Sequence, residues 1–287
     1  MKRSVFIVAF GIAFLAQVAC AGEAEWDALM ESGRIAYEKG EYDTALRQFE
    51  EGRREAEKSF GTTHPYVGVS LNNLAMLLGS LGRHAEAEPL YKRSLTIYEK
   101  VLGAEHPNVA QSLGNLAVLY HDQGRYTEAE PLFKRSLAIR EKTLGIEHPD
   151  IATSLNNLAE FYRHQGRYTE AEPLYKRSLA VNEKAFGTEH PVVATVLNNL
   201  ATLYRDKGHL AEAELFFKRS LAIRENTVGI DHPDVATSLN NLAGLFDIQG
   251  RYIDAEPLYK RSLAIYERIF GILITNEPQP TLRAGKA

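Results

Sequence analysis

The sequence predicts an all-α protein made of stacked helical hairpins, and two observations support this. His-Pro pairs begin at positions 64, 106, 148, 190 and 232, so that each follows the previous one by 42 residues. The units that begin at His106 and His148 are identical at 28 of 42 positions. Self-similarity at such a period is typical of a repeat array, in which each unit needs its neighbours to bury its apolar side.

Composition limits the possible functions. The 287 residues include 33 Lys and Arg against 37 Asp and Glu, a net charge of −4. This balance provides no cationic surface for phosphate backbones and argues against nucleic-acid binding. The one cysteine, Cys20, excludes an intramolecular disulfide framework and a thiolate metal cage.

The first 21 residues resemble an export signal. Lys2 and Arg3 precede an apolar run over residues 5–16, which is short for a membrane span but typical of the hydrophobic region of a signal peptide. We therefore expect residues 1–21 to be removed and the protein to be exported, to the periplasm or cell envelope.

Two processing routes remain open at the end of this segment. Ala19-Cys20-Ala21 offers small residues to a general signal peptidase, whereas Val18-Ala19-Cys20 resembles a lipoprotein box that would attach a lipid to Cys20. Gln17 stands where that box usually has an aliphatic residue. An uncleaved interfacial anchor is a third alternative. A lipid on Cys20 is the expected route to membrane association.

The first helix of each unit is indicated by its start and its apolar spacing. In the unit from His148, Pro149 suits a first helical position, where its missing N–H has no partner to lose. Apolar residues then recur three and four positions apart and form one stripe of a helix: Ile151, Leu155, Leu158, Ala159 and Tyr162.

A second helix follows the break at Gly166. We expect it to begin near Thr169, because Thr169 and Glu172 have the spacing of a capping box. Pro173 is then expected in its first turn, and Gly187 is expected to end it in a left-handed conformation.

The small and aromatic positions carry a specific resemblance. Ala159, Ala171, Tyr162, Tyr175 and the Gly-Arg-Tyr turn look like a tetratricopeptide repeat, and the 42-residue wording is similar to the repeats of kinesin light chains and their bacterial relatives. The resemblance implies a right-handed superhelical solenoid of six helix-turn-helix repeats. Residues 24–61 form the N-terminal repeat and 62–271 the five longer ones. Residues 272–287 are expected to form a short helix followed by a disordered tail.

In the resembled family, the side of the first helix opposite the packing stripe lines a concave, peptide-binding groove. The expected groove is polar, and its candidate residues are Asn73, Asn115, Asn156, Asn157, Glu160, Arg163, His164, Asn198, Asn199, Arg205, Asp206, Asn240 and Asn241. A carboxamide provides both a donor and an acceptor for a peptide backbone. The alternative is that these asparagines bond to neighbouring helices of the stack.

Two arginines at equivalent positions are further candidates. Arg163 and Arg205 have the chemistry to clamp a partner carboxylate through paired hydrogen bonds, or they are solvated helix ends. Glu160 and Asp206 give the groove mixed charge, so the acidic-peptide preference of kinesin light chains does not transfer.

No motif predicts catalysis or a cofactor. The five His-Pro histidines are spread one per unit and cannot converge on one metal ion. The Lys-Arg pairs of the second helices are each preceded by a glutamate four residues before the lysine, which neutralises them. His164 near Glu160 lacks a nucleophile. We expect a non-enzymatic adaptor that binds a protein or peptide. The alternative is a self-associating structural scaffold that uses the ends of the array, as a homo-oligomer.

Overall fold

The computed structural model describes residues 21–270, which form twelve α-helices and no strand. The helices are α1 (Ala21–Glu38), α2 (Tyr42–Phe60), α3 (Pro65–Ser80), α4 (His84–Leu102), α5 (Pro107–Asp122), α6 (Tyr126–Leu144), α7 (Pro149–His164), α8 (Tyr168–Phe186), α9 (Pro191–Asp206), α10 (Leu210–Val228), α11 (Pro233–Ile248) and α12 (Tyr252–Phe270). The predictions for Cys20, for the signal segment before Ala21 and for residues 272–287 lie outside the described residues.

The helices form two compact units, divided within α8 at residues 181 and 182. In unit 1, consecutive helices from α1 to α7 pack against one another, and α3, α5 and α7 also contact each other in sequence. In unit 2, the same consecutive packing runs from α9 to α12. The predicted all-α class and the six helix-turn-helix repeats are confirmed. No helix in the described part of the chain has the length and apolarity needed to cross a bilayer.

Each His-Pro pair starts an odd-numbered helix. The proline is the first helical residue, and the preceding histidine accepts a hydrogen bond at Nδ1 from the backbone N–H two residues later, at 3.1–3.3 Å. These histidines are therefore N-caps, and they satisfy one of the donors that a helix start leaves without a partner. The five pairs are His64 with Tyr66, His106 with Asn108, His148 with Asp150, His190 with Val192, and His232 with Asp234.

The turn inside each repeat differs from the expected capping box. Gly166 has φ +72°, and the N–H of Arg167 donates to the carbonyl of Tyr162 at 2.9 Å, which ends α7 in a Schellman-like turn. This turn leads directly into Tyr168, so α8 begins one residue before Thr169. The Thr169 hydroxyl donates to Glu170 at 2.7 Å. The capping-box prediction is therefore wrong, and Pro173 lies inside the helix beyond its first turn.

The predicted end of α8 is confirmed. Gly187 has φ +85°, a conformation that side chains other than glycine rarely adopt, and its N–H donates to Glu183 at 3.0 Å. The glycine therefore stops the helix and redirects the chain toward the next histidine cap.

The apolar stripe predicted on α7 is buried. Ile151, Leu155, Leu158, Ala159 and Tyr162 all belong to the core, as do Ala171 and Tyr175 of α8. Alanine at the two closest positions lets the helix backbones approach, and the aromatic rings fill the space beside them. This packing explains why small and aromatic residues recur in every copy.

A buried serine joins the two helices of each longer repeat. Its hydroxyl donates across the hairpin to a backbone carbonyl of the odd-numbered helix at 2.6–2.8 Å. The pairs are Ser94 with Gly68, Ser136 with Ala110, Ser178 with Ala152, Ser220 with Ala194, and Ser262 with Ala236. Because these hydroxyls are buried and paired, they fix the register of one helix against the other.

The outer surface of the even-numbered helices is neutralised by ion pairs, as the sequence predicts. Each lysine of a Lys-Arg pair contacts the glutamate four residues before it, for example Lys176 with Glu172 at 2.6 Å. Each arginine contacts a glutamate of the preceding repeat, for example Arg177 with Glu141 at 2.5 Å. These exposed pairs contribute little individually, about 0–1 kcal/mol each.

The histidine caps predict a loss of stability in mild acid. Burial lowers the pKa of His64 and His106 below the ordinary 6.5, with Glu23 opposing part of that effect at His64. As the pH falls through 6.5, the unfolded chain takes up protons that the folded chain resists. The free energy of unfolding therefore falls as the pH falls through this range toward the folded pKa values.

We expect His106→Ala to lower the free energy of unfolding by about 1 kcal/mol at pH 7.5, as measured by urea denaturation. His106→Asn is the control, because asparagine caps a helix and does not titrate. It should retain stability at pH 7.5 and lose less than the wild type between pH 7.5 and 5.5. An equal loss in His106→Asn would exclude this histidine as a source of the pH dependence.

Candidate functional site

The candidate site is the A face, defined as the polar positions of the odd-numbered helices α3, α5, α7, α9 and α11 that carry the predicted groove residues. In unit 1 the direct contacts among α3, α5 and α7 bring successive asparagines together. In unit 2 the same positions recur on α9 and α11. The two stretches are described separately below.

We call the contact between the odd-numbered helices of two successive repeats a joint of the stack. At two joints, the predicted asparagines form hydrogen bonds within the protein. Asn115 Nδ2 donates to Asn72 Oδ1 at 3.2 Å in unit 1, and Asn241 Nδ2 donates to Asn198 Oδ1 at 2.8 Å in unit 2. Asn115 Oδ1 also accepts from Gln111 at 3.1 Å. For these amides the contacts favour the stacking alternative over a direct contact with a ligand.

The remaining groove asparagines differ in exposure. Asn115 and Asn156 are buried, each 7% exposed, and so lie within the stack. Asn73, Asn198, Asn199 and Asn241 are partly exposed, and Asn240 is exposed. In each unit the A face is therefore partly exposed, and some of its amides are bonded inside the stack: Asn115 in unit 1, Asn198 and Asn241 in unit 2.

Asn157 is the exception in unit 1. The two residues that would engage it by analogy with Asn115 are replaced, because Gly114 stands in place of Asn72 and Thr153 in place of Gln111. Within the described residues, Asn157 Oδ1 is buried and has no hydrogen-bond partner. An unsatisfied buried acceptor is uncommon in folded proteins and calls for an explanation.

A small pocket opens at the same place. Residues of α5, α6 and α7 line it: Gln111, Gly114, Asn115, Val118, Phe133, Ser136, Arg140, Thr153, Ser154 and Asn157. It has room for about one or two water molecules. The pocket therefore admits a small polar group and not a folded segment.

Glu160, Arg163 and His164 form one charge cluster. The Glu160 carboxylate accepts from Arg163 at 2.5 Å, lies 3.0 Å from His164 Nε2, and accepts from the Tyr175 hydroxyl of α8. Glu160 and Arg163 are each only 13% exposed in their side chains. Burial works against the charged carboxylate, but His164, Arg163 and Tyr175 together hold the pKa of Glu160 well below its usual range.

The cluster continues across the repeat boundary. His164 Nδ1 lies 2.9 Å from His121 Nε2 of α5, and the two rings stack with centroids 4.9 Å apart. His121 Nδ1 in turn lies 3.4 Å from Asp122. Sequence spacing placed His121 on the same face but not in this chain of contacts, which depends on the approach of α5 to α7.

Arg205 of α9 is also paired within its own helix. Its guanidinium contacts Asp206 Oδ1 at 3.2 Å and 2.8 Å. Both candidate arginines are therefore already engaged by carboxylates of this chain, so a partner carboxylate would have to compete with those pairs.

Sequence reasoning missed two arginines of the even-numbered helices. Arg140 of α6 donates to Gln111 Oε1 at 2.6 Å and to the carbonyl of Asp150 at 3.0 Å. Arg224 of α10 donates in the same way to the carbonyl of Asp234 at 3.0 Å. Burial lowers the pKa of both. The available signal was their position, where other repeats carry Tyr98, Asn182 and Tyr266.

The described residues contain no group of three or more His, Cys, Asp or Glu side chains arranged to hold a metal ion. Their polar atoms are instead arranged as helix-to-helix bonds along the repeats. The geometry is that of a repeated scaffold with a polar face.

The repeats match the tetratricopeptide repeat family over residues 27–100, 71–142, 150–226 and 216–268. The chain belongs to the tetratricopeptide repeat family. The predicted all-α tetratricopeptide fold is thereby confirmed. No curated protein gives a significant match to this sequence.

The tetratricopeptide repeats of this chain are similar in structure to those of kinesin-light-chain-like proteins. A kinesin-light-chain-type protein of Podospora anserina with nearly identical TPR-like repeats is 30% identical, with a TM-score of 0.61, covering 72% of this chain and 98% of its own. BtubC (BKLC) of P. vanneervenii is 24% identical, with a TM-score of 0.65, covering 94% and 100%. Pseudomonas aeruginosa pilF is 17% identical, with a TM-score of 0.57, covering 88% and 95%. These last two show likeness of fold alone.

The Glu160 cluster predicts a local stability effect. We expect Glu160→Gln to lower the free energy of unfolding at pH 7 by about 2 kcal/mol, because it removes a carboxylate that accepts hydrogen bonds from charged donors. Chemical denaturation measures the change. Glu256→Gln is the matched control, since Glu256 pairs only with Lys260 on an exposed surface, and it should change stability by less than about 0.5 kcal/mol. Equal effects of the two variants would contradict this account of the cluster.

Proposed function

We propose that this tetratricopeptide protein is a non-enzymatic interaction scaffold that binds a peptide or protein segment on its A face. Proteins of this fold generally mediate contacts between proteins. The observation that supports the A face is its variation between copies, in contrast to the uniform outer surface of the even-numbered helices.

The outer surface of the even-numbered helices carries the same ion pairs in repeat after repeat, so a partner could not distinguish one position from another. The contact of Arg177 with Glu141 recurs in Arg93 with Glu57, Arg135 with Glu99 and Arg219 with Glu183 at 2.6–2.7 Å. The lysine pairs recur in the same way. A surface whose charges are paired identically in every copy is explained by stacking alone.

The A face differs from copy to copy. The position of Glu160 is Met76, Val118, Thr202 and Gly244 in the other longer repeats, and the position of Arg163 is Gly79, His121, Arg205 and Asp247. Packing needs the same residues in each copy, whereas recognition of an asymmetric ligand needs different ones. This variation favours the A face as the recognition surface.

Export is part of the proposal. A signal segment over residues 1–21, with either removal of Cys20 or its lipidation, would place the scaffold in the periplasm or cell envelope. The proposed ligand is then a protein of that compartment, bound without a cofactor.

Peptides selected from a phage-displayed library against the full chain provide the test. We expect Asn157→Ala combined with Asn199→Ala to weaken their binding at least about tenfold by fluorescence anisotropy, which corresponds to about 1.4 kcal/mol. Helicity by circular dichroism should be unchanged. The control is Lys134→Gln with Lys176→Gln on the outer surface, which should change affinity less than about twofold. Unchanged binding by the A-face variant would reject the groove.

The alternative function, a self-associating scaffold, has support at the end of unit 2. Helix α12 exposes apolar side chains, with Ile253 91% and Leu263 48% exposed. Leu137 of α6, at the position of Leu263, is buried. The position of Ile253 is exposed in the earlier longer repeats too, but it carries alanine or threonine there, so the terminal helix presents a more apolar exposed surface than the helices before it.

This alternative predicts a mass that rises with concentration in light scattering of the full chain. Ile253→Glu with Leu263→Glu should then restore the monomer mass without loss of helicity. A concentration-independent monomer in the wild type would exclude self-association through this end.

A further inference from the structure

We propose that the pocket beside Gly114 is a specificity site that takes the primary carboxamide of an asparagine or glutamine side chain from the bound peptide. This inference deepens the proposed function and rests on it, because it names the ligand group that one part of the A face reads. It is based on the difference between the contact of α5 with α7 and the equivalent contacts of α3 with α5 and of α9 with α11, which we call the sibling joints.

The sibling joints show which group the pocket suits. At the joint of α3 and α5, the carboxamide of Asn72 accepts from Asn115 at 3.2 Å and from the Ser112 hydroxyl at 3.3 Å. At the joint of α9 and α11, Asn198 accepts from Asn241 at 2.8 Å. A carboxamide supplied by the chain itself therefore occupies this position in both.

At the joint of α5 and α7 the chain supplies no such group. Gly114 has no side chain, yet the residues that would receive the carboxamide are retained as Ser154 and Asn157, and both line the pocket. The structure thus retains the equivalents of the serine and the asparagine that contact the carboxamide at the joint of α3 and α5, and lacks only the carboxamide itself.

Asn157 also requires a donor. Its Oδ1 atom is buried and has no partner in residues 21–270, because Thr153 cannot supply the N–H that Gln111 gives to Asn115. A primary carboxamide carries an N–H₂ group beside a carbonyl oxygen. Its N–H₂ group can therefore donate to Asn157 Oδ1.

The size of the pocket selects a side chain over a backbone segment. It has room for about one or two water molecules, enough for a carboxamide and too little for an extended chain. A carboxylate of the same shape has no proton to donate to Asn157 Oδ1, and the Arg140 guanidinium in the lining already donates to Gln111 Oε1 and to the carbonyl of Asp150. An apolar side chain leaves Asn157 Oδ1 unsatisfied.

Gly114 is also an unfavourable residue for the stability of its helix, so its presence requires an explanation. It lies inside α5, where glycine is less favourable than other residues. A Cβ atom placed there would meet Ser136 Oγ at 3.3 Å, and the sibling joints hold an asparagine beside the equivalent Ser94 and Ser220. An asparagine here therefore requires Ser136 to shift by a few tenths of an ångström, and the sibling joints hold both residues, so packing alone does not require the glycine.

The test uses four libraries of acetylated heptapeptides with Asn, Gln, Asp or Leu fixed at the centre, and the other positions are random among residues other than Asn and Gln. The immobilised full chain captures them, and mass spectrometry measures the amount retained. We expect the Asn or Gln library to be retained about tenfold more than the Asp and Leu libraries, because only the former satisfy Asn157 Oδ1.

Gly114→Asn should remove this preference, since the new side chain would fill the pocket as Asn72 and Asn198 do in the sibling joints. The control is Lys134→Gln with Lys176→Gln on the outer surface of the even-numbered helices, which leaves Gly114 and the A face unchanged. It should keep the preference. Asn157→Leu, which removes the acceptor without filling the position of Gly114, should also abolish the preference and serves if Gly114→Asn does not fold.

The outcomes separate the two proposals. Equal retention of all four libraries, with loss of binding in the A-face double variant, would overturn the carboxamide site and leave the scaffold function standing. A preference that survives Gly114→Asn or Asn157→Leu would also overturn the site. Retention of no library above a blank surface would count against both proposals.

Discussion

Each hairpin of this protein can bury its apolar stripe only against the next hairpin, and this requirement governs the rest of the structure. The contact between the two helices of a repeat is set by small residues such as Ala159 and Ala171, which bring the backbones close. A serine hydroxyl then bonds across the hairpin, as Ser178 does to the carbonyl of Ala152 at 2.8 Å. Since the stripe and the bond are the same in each longer repeat, every joint of one unit can form in the same way.

That constraint divides the surface into two kinds. The even-numbered helices carry ion pairs such as Arg177 with Glu141, which repeat in step with the array and so add no information about a partner. The odd-numbered helices carry amides and charges that change between copies. A repeat protein gains specificity where its copies differ, because identical copies present the same chemistry at every step.

Most of the polar capacity of the odd-numbered helices is nevertheless used inside the stack. Asn115 and Asn241 bond to asparagines of the preceding repeat, and Arg163 is held by Glu160. A ligand that competed for these groups would have to replace bonds already made. Asn157 stands apart, since its buried Oδ1 has no partner within the described chain and the residue is one of those that line a small pocket.

The sequence by itself determined the repeat length, the helix pairs and the proline at the start of each odd-numbered helix, because a 42-residue period constrains every copy at once. It also predicted the buried stripe of α7 and the glycine turn at Gly187. It predicted the start of α8 to within one residue, but it was wrong about the capping box and about Pro173 in the first turn, since the turn through Gly166 and Arg167 and not a threonine cap sets that start.

The roles of the groove residues depended on tertiary structure. Spacing places Asn115 and Asn157 at equivalent positions, yet the Oδ1 of Asn115 accepts a hydrogen bond from Gln111 and that of Asn157 has no partner in the described chain. The link from His121 to His164 likewise depends on how closely α5 approaches α7. Local sequence sets which face a side chain occupies, whereas the approach of neighbouring helices decides which of its atoms are already paired.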